Sequence, residues 1–153
     1  MTTLIDILAQ QNQTRLATDA GVRMHARLQR VLIDDKNTTG NPEIVARIKA
    51  HPEMVEFFGP KSRPEVPIAG TINGQFISRR IDRLYINDET KQIVIIDYKT
   101  DVDTDRFYSQ YVEQINEYAL MLHYVYPGYE ISGYILWTRD FVLEPIEMDM
   151  MIC

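Results

Sequence analysis

The residues best placed to do chemistry are Asp97 and Lys99, at the end of the run I-V-I-I-D-Y-K. Ile93 to Ile96 are four β-branched residues without Gly or Pro, which reads as a short strand buried on both faces. Side chains alternate along a strand, so Asp97 and Lys99 leave its tip on one side while Tyr98 points away. A carboxylate and an ammonium at the tip of a core strand are costly to desolvate unless they are paired or used. A strand-end ion pair would satisfy them, and their neighbours suggest more. Asp82 lies on the preceding strand, and a tight turn over Asn87 to Lys91 brings it near Asp97 across the pair. Two carboxylates at one sheet edge repel each other, and a divalent cation relieves the repulsion. Carboxylate oxygens with a backbone carbonyl suit Mg2+, which prefers hard ligands and retains waters that a phosphate can replace. Lys99 beside such a site would stabilise charge on a phosphate or help deprotonate the attacking water. Together these groups are an apparatus for phosphodiester hydrolysis.

The elements that must position them emerge from periodicity. Residues 3–10 carry Leu4, Ile5 and Leu8 at helical spacing, and the polar stretch 11–18 continues that helix or links it to the next. A stronger helix runs from Asp19 to about Asp34, with Met24, Leu28, Val31 and Leu32 on one stripe and Gly21 and His25 stacked one turn apart on a neighbouring face. Pro42 and Pro52 each open a further helix, the second stopped by Gly59-Pro60. The period then changes to two. Glu65 to Thr71 and Gln75 to Ile86 read as strands joined at Asn73-Gly74, where both turn residues tolerate positive φ. On the second strand Ile77, Arg79, Ile81, Arg83 and Tyr85 fall on one face and Phe76, Ser78, Arg80, Asp82, Leu84 and Ile86 on the other. The Ile93 strand is third. Thr104 to Tyr126 form a long helix with Tyr111, Ile115, Tyr118, Leu122 and Val125 on one face, and strands over Tyr129 to Thr138 and Phe141 to Met148 complete the chain. The order predicts an α+β fold with one central mixed sheet of about five strands flanked by helices.

Composition narrows the function. The chain has 153 residues, one domain's worth, and its single cysteine, Cys153, excludes an internal disulfide, a four-cysteine zinc site and a protein-held iron–sulfur cluster. No apolar run is long enough to span a membrane and no signal-peptide pattern opens the chain, which sets a cytoplasmic, membrane-free expectation. The net charge of −6 has the wrong sign for a surface that grips nucleic acid everywhere, so a polyanion would be held by a local patch, by metal ions or by an attached domain.

Taken in order, Gly21 with His25, Glu65-Val66-Pro67, Arg80-Ile81-Asp82-Arg83-Leu84, Ile96-Asp97-Tyr98-Lys99-Thr100, and Gln114 with Tyr118 in Q-x-x-x-Y resemble the motif series of the RecB-type nucleases of the PD-(D/E)xK superfamily. The resemblance covers about residues 19 to 138 and is strongest to the nuclease domains of AddA-type helicase–nuclease subunits. It implies a restriction-endonuclease-like core over residues 19–153 behind an N-terminal helix or linker at 1–18. It also implies a Mg2+-dependent deoxyribonuclease, with Mn2+ able to substitute, that cuts DNA exonucleolytically during double-strand-break repair and recombination. By the same resemblance Asp82, Asp97, His25 and the Tyr98 carbonyl are metal ligands, Lys99 is the catalytic lysine, and Glu65 orients that lysine or a water. Gln114 and Tyr118 line the site from the long helix and contact DNA or brace Lys99, and Arg80 contacts the scissile strand. The implied partners are DNA and a helicase domain or an AddB-like subunit.

Other readings remain open at this point. Asp82 could simply pair with Arg80 or Arg83, and Tyr118 could serve packing as well as the site. The same fold could be a catalytically silent DNA-binding scaffold, or a restriction-type or junction-cutting endonuclease. Arg79 stands where relatives commonly carry Gly, and no Walker A motif for a helicase motor occurs in the sequence. The chain is therefore either an excised domain, whose DNA a motor would deliver, or a free-standing relative; the acidic balance favours the first.

Overall fold

A computed structural model of the chain describes residues 3–5, 21–100 and 104–148. Helix α1 occupies residues 21–29 of the described chain. After it come α2 (Pro42–Lys49), α3 (Pro52–Val55), a 3-10 turn at Glu56–Phe58, β1 (Ser62–Ile72), β2 (Gln75–Asn87), β3 (Gln92–Lys99), α4 (Thr104–Val125), β4 (Glu130–Trp137) and β5 (Val142–Ile146). The strands form one sheet in chain order. All neighbours are antiparallel except β3 and β4, which run parallel from Gln92↔Glu130 to Lys99↔Trp137. Parallel neighbours need a crossover the length of the strands, and α4 supplies it. The architecture is thus α+β, a five-stranded mixed sheet with helices on both faces. No helix among the described residues is long and apolar enough to cross a membrane. The helix expected over 3–10 lies outside the described residues except for the helical pair Leu4 and Ile5, as does the 11–18 stretch.

β3 is buried on both faces because it feeds two cores. Val94, Ile96 and Tyr98 pack with Leu28, Ile44, Ile48, Met54 and Phe58 on the side of α1 to α3. Ile93 and Ile95 pack with Ile115, Tyr118, Ala119 and Leu122 of α4. The second contact is close: a Cβ at Gly133 on β4 would lie 2.5 Å from Ile115 Cγ2, so α4 rests on bare backbone there.

Several details depart from the periodicity. Helix α1 stops at residue 29 rather than near Asp34, because Leu32 leaves it to bridge Thr39. Val31 is buried past the helix end, not on it. Strand β1 begins at Ser62, with Pro64 inside it; β1 is an edge strand, where a missing donor is tolerated. Val125 is exposed rather than on the packed face of α4. Lastly, the alternation on β2 breaks at Asp82: Ile81 and Leu84 both pack toward α4, whereas Tyr85 packs on the opposite side. The partner position on β1 is Glu65, skipped by the ladder between Pro64↔Arg83 and Val66↔Ile81 and held at φ 52°, the left-handed region that costs a non-glycine residue about 1–2 kcal/mol. Two residues of the D-Y-K neighbourhood therefore sit at one shared irregularity of the hairpin.

One buried cation ties the first helix layer to the sheet. Arg83 is 1% exposed and has no carboxylate partner among the described residues. Its Nε donates to the Tyr98 hydroxyl at 2.9 Å and Nη1 to Ser62 Oγ at 2.9 Å, while Nη2 donates to the Leu28 and Val31 carbonyls at 3.0 and 3.1 Å. The guanidinium also lies 4.5 Å from the Phe58 ring centroid. Carbonyls at the end of a helix carry the negative pole of its dipole, so they accept a cation that would otherwise be intolerable in the core. Arg83→Met keeps the length of the side chain and strands these acceptors. It should lower unfolding free energy by about 3 kcal/mol or more in urea titrations, and an unshifted midpoint would deny the network its role.

Candidate functional site

The site forms where β2 and β3 part company. Their ladder runs from Asn87↔Gln92 to Arg83↔Ile96 and stops, although β3 continues to Lys99 beside β4. Past that point side chains complete the bonding of the Tyr98 backbone. Tyr98 N–H donates to Asp82 Oδ2 at 2.8 Å, and the Tyr98 carbonyl accepts from His25 Nε2 at 3.0 Å. A carbonyl can only accept, so Nε2 donates in this arrangement, while Nδ1 lies 3.7 Å from Asp82 Oδ1. Helix α1 comes this close because residue 21 lacks a side chain: a Cβ at Gly21 would lie 2.9 Å from Thr100 Oγ1. The imidazole also meets the Tyr98 ring edge-on at 5.4 Å.

Glu65 enters from β1. His25, Glu65 and Asp82 each present one ligand atom, all within 4.8 Å of one another. Arg80 stays on the rim, 3.8 Å from Glu65 and mostly exposed, which makes that ion pair a weak one. Asp82 pairs with neither Arg80 nor Arg83; both are engaged elsewhere.

On the α4 side of the strand tip, Lys99 Nζ lies 3.1 Å from Asp97 Oδ2 and 4.4 Å from the Tyr111 ring centroid. Asp97 is 4% exposed, and its Oδ2 faces the ammonium without an aligned hydrogen bond. Gln114 Nε2 donates to the Tyr118 hydroxyl at 2.9 Å, and that hydroxyl points at the Arg80 carbonyl at 3.5 Å. Burial, with Asp97 and Asp82 behind it, raises the Tyr118 phenol and keeps it protonated. Gln114 and Tyr118 therefore brace β2 just before Asp82, and neither makes a hydrogen bond to Lys99.

The candidate residues thus fall into two groups joined by Asp82. His25, Glu65, Asp82 and the Tyr98 carbonyl gather on one side; Asp97 and Lys99 pair on the other. Two contributors escape a reading of the sequence. Arg83 is there only a possible partner for Asp82, and Tyr111 only an apolar-face residue, yet Tyr111 stacks on Lys99 from the turn before Gln114. Helical spacing with Gln114 and Tyr118 is the available signal for Tyr111; Arg83 leaves none. Among known proteins, no family model and no curated protein matches this chain.

The electrostatics concentrate on Asp82. Burial first, then the Asp97 charge and a hydrogen bond with Asp97, push its carboxyl from 3.8 up to about 8, against the opposing pull of the Tyr98 N–H and Lys99. Without a cation the folded chain therefore retains a proton that the unfolded chain releases. Stability should be full below about pH 4 as far as this group is concerned, decline as pH climbs toward about 8, and then level off. Asp82→Asn should flatten that slope in thermal melts across the range; an equal slope in the variant would remove Asp82 as its source.

Proposed function

We propose that this chain is a divalent-cation-dependent nuclease that hydrolyses DNA phosphodiesters, on a restriction-endonuclease-like core of the RecB type. The observation that supports the reading best is the convergence of an imidazole, two carboxyl groups and a backbone carbonyl on the spot where the sheet opens, with an ammonium beside it. The donor set suits a hard cation: three oxygens with one imidazole nitrogen match Mg2+ or Mn2+ better than a thiophilic metal. The spacing suits it too. One ligand atom from each of His25, Glu65 and Asp82 lies within 4.8 Å of the other two, and the Tyr98 carbonyl lies 3.0 Å from the same imidazole. His25, Asp82, Glu65 and the Tyr98 carbonyl would hold the ion, with Asp97 adding its charge through Asp82.

When bound, the ion supplies Lewis acidity toward a phosphate oxygen. Asp82 would hold the ion as a carboxylate, in place of the proton it otherwise keeps. Lys99, held by Asp97 and by the Tyr111 ring, presents its ammonium to the phosphoryl oxygens, where negative charge grows during attack by water. Glu65, in the same group, would orient that water. Gln114 and Tyr118 keep Arg80 and Asp82 in register, and Arg80 meets the strand at the rim. Cutting from ends in double-strand-break repair, with a helicase domain or an AddB-like subunit delivering the strand, is the form that the motif resemblance gives to this activity.

With the purified chain and a labelled single-stranded oligonucleotide, cleavage should need Mg2+ or Mn2+ and stop in EDTA. Asp97→Ala and Lys99→Ala should each reduce it by at least about a hundredfold while the far-ultraviolet circular dichroism melt stays cooperative. A folded variant that cuts normally would overturn the site, and a wild-type chain inert with both ions would overturn the function. A circular single strand, resistant if ends are required, separates exonuclease from endonuclease.

A further inference from the structure

An acidic chain that handles a polyanion needs cations somewhere, and α1 carries them in one row. Arg23, Arg27 and Arg30 recur at i, i+4 and i+7, the last in the turn that closes the helix. At about 100° per residue they fall within a sector of roughly 60°. All three are exposed, and no Asp or Glu occurs between Gly21 and Ile33. Among the described residues none of the three guanidiniums has an ion-pair, hydrogen-bond or ring partner. Four other arginines are occupied: Arg79 by Glu117, Arg80 by Glu65, Arg47 by the Phe141 ring and Arg83 by its buried network. A common use for cations at the end of a helix is to neutralise its carbonyls, but here Arg83 already takes the Leu28 and Val31 oxygens. The row is therefore exposed, with no compensating charge paired to it among the described residues.

Its position relative to the site gives it a use. His25 lies between Arg23 and Arg27 in sequence and on the opposite side of the same helix, so the row runs about one helix diameter, roughly 10 Å, from the imidazole. From first to last the row spans about 10 Å of helix, enough to meet more than one phosphate of a strand. Each member is an arginine, whose planar fork grips phosphate through paired hydrogen bonds.

We infer that Arg23, Arg27 and Arg30 form a phosphate track for the DNA strand outside the cleavage site, so that the strand crosses α1 on its way to or from His25. The inference rests on the nuclease reading for its choice of ligand, and its test is independent of turnover. Arg→Gln at all three positions keeps helix propensity and removes the charge. In EDTA, fluorescence anisotropy of a labelled single-stranded oligonucleotide titrated across a salt series should show wild-type binding that weakens steeply with salt. In the triple variant the slope of log K against log salt should be shallower by about 2, three phosphate contacts at about 0.7 each, and low-salt affinity should drop at least about tenfold. The melting midpoint should not move. With Mg2+, KM for long strands should rise while kcat is kept.

Equal slope and affinity in a folded triple variant, or no binding by the wild type, would overturn the track; the row would then meet an acidic protein surface or only solvent. The two readings fail separately. Salt-dependent binding lost in the triple variant, from a chain that never cleaves, upholds the track and removes the nuclease. Cleavage with binding untouched by the triple variant does the reverse.

Discussion

The whole arrangement depends on a guanidinium that is buried without a countercharge among the described residues. Arg83 links a phenol, a serine hydroxyl and two helix-end carbonyls drawn from separate parts of the fold. Because its donors lie in a rigid planar fork, the helix end cannot slide along the sheet without breaking at least one of these bonds. The same tyrosine whose hydroxyl receives Arg83 uses its main chain to hold Asp82 and His25. Its phenol, lifted by burial to about 12, stays neutral and keeps accepting from the cation. The position of the imidazole relative to the carboxylates is thus set in the core, where packing tolerates little play, rather than by loops.

The second constraint is the parting of two strands. A fully paired sheet would use the Tyr98 amide and carbonyl in a ladder and leave nothing for side chains to address. Ending the β2–β3 ladder at Arg83↔Ile96 frees those groups, while the parallel pairing with β4 keeps β3 straight to Lys99. A carboxyl and an imidazole then replace a neighbouring strand as bonding partners, and Asp82 is held near Asp97 despite their mutual repulsion. That repulsion, added to burial, is what makes Asp82 retain its proton.

Much of this is readable in the residues because it rests on short-range rules. Ile93 to Ile96 announce a strand between two cores, Asn73-Gly74 fixes the hairpin, and Asn73 and Gly74 do adopt positive φ at 51° and 78°. The tight turn before β3 sets the register that carries Asp82 toward Asp97. The features that escape depend on distant partners. Val31 and Leu32 keep the helical period, yet Thr39 and Arg83 claim that segment for other bonds. The reversal of faces at Asp82 sits opposite a left-handed backbone angle at Glu65 on another strand, and nothing in the alternation of β2 encodes it. Arg83 looks like any charged strand residue until the carbonyls that neutralise it are brought from a helix some fifty positions earlier.

The left-handed turn of the backbone at Glu65 carries an evolutionary implication. Glycine would occupy that conformation without steric penalty, so the most comfortable residue there is one with no acid to offer. Selection for heat resistance alone would push this position toward glycine and erode the carboxyl cluster. A glutamate in that torsion gives up backbone comfort for a carboxyl beside His25 and Asp82, which folding alone does not call for.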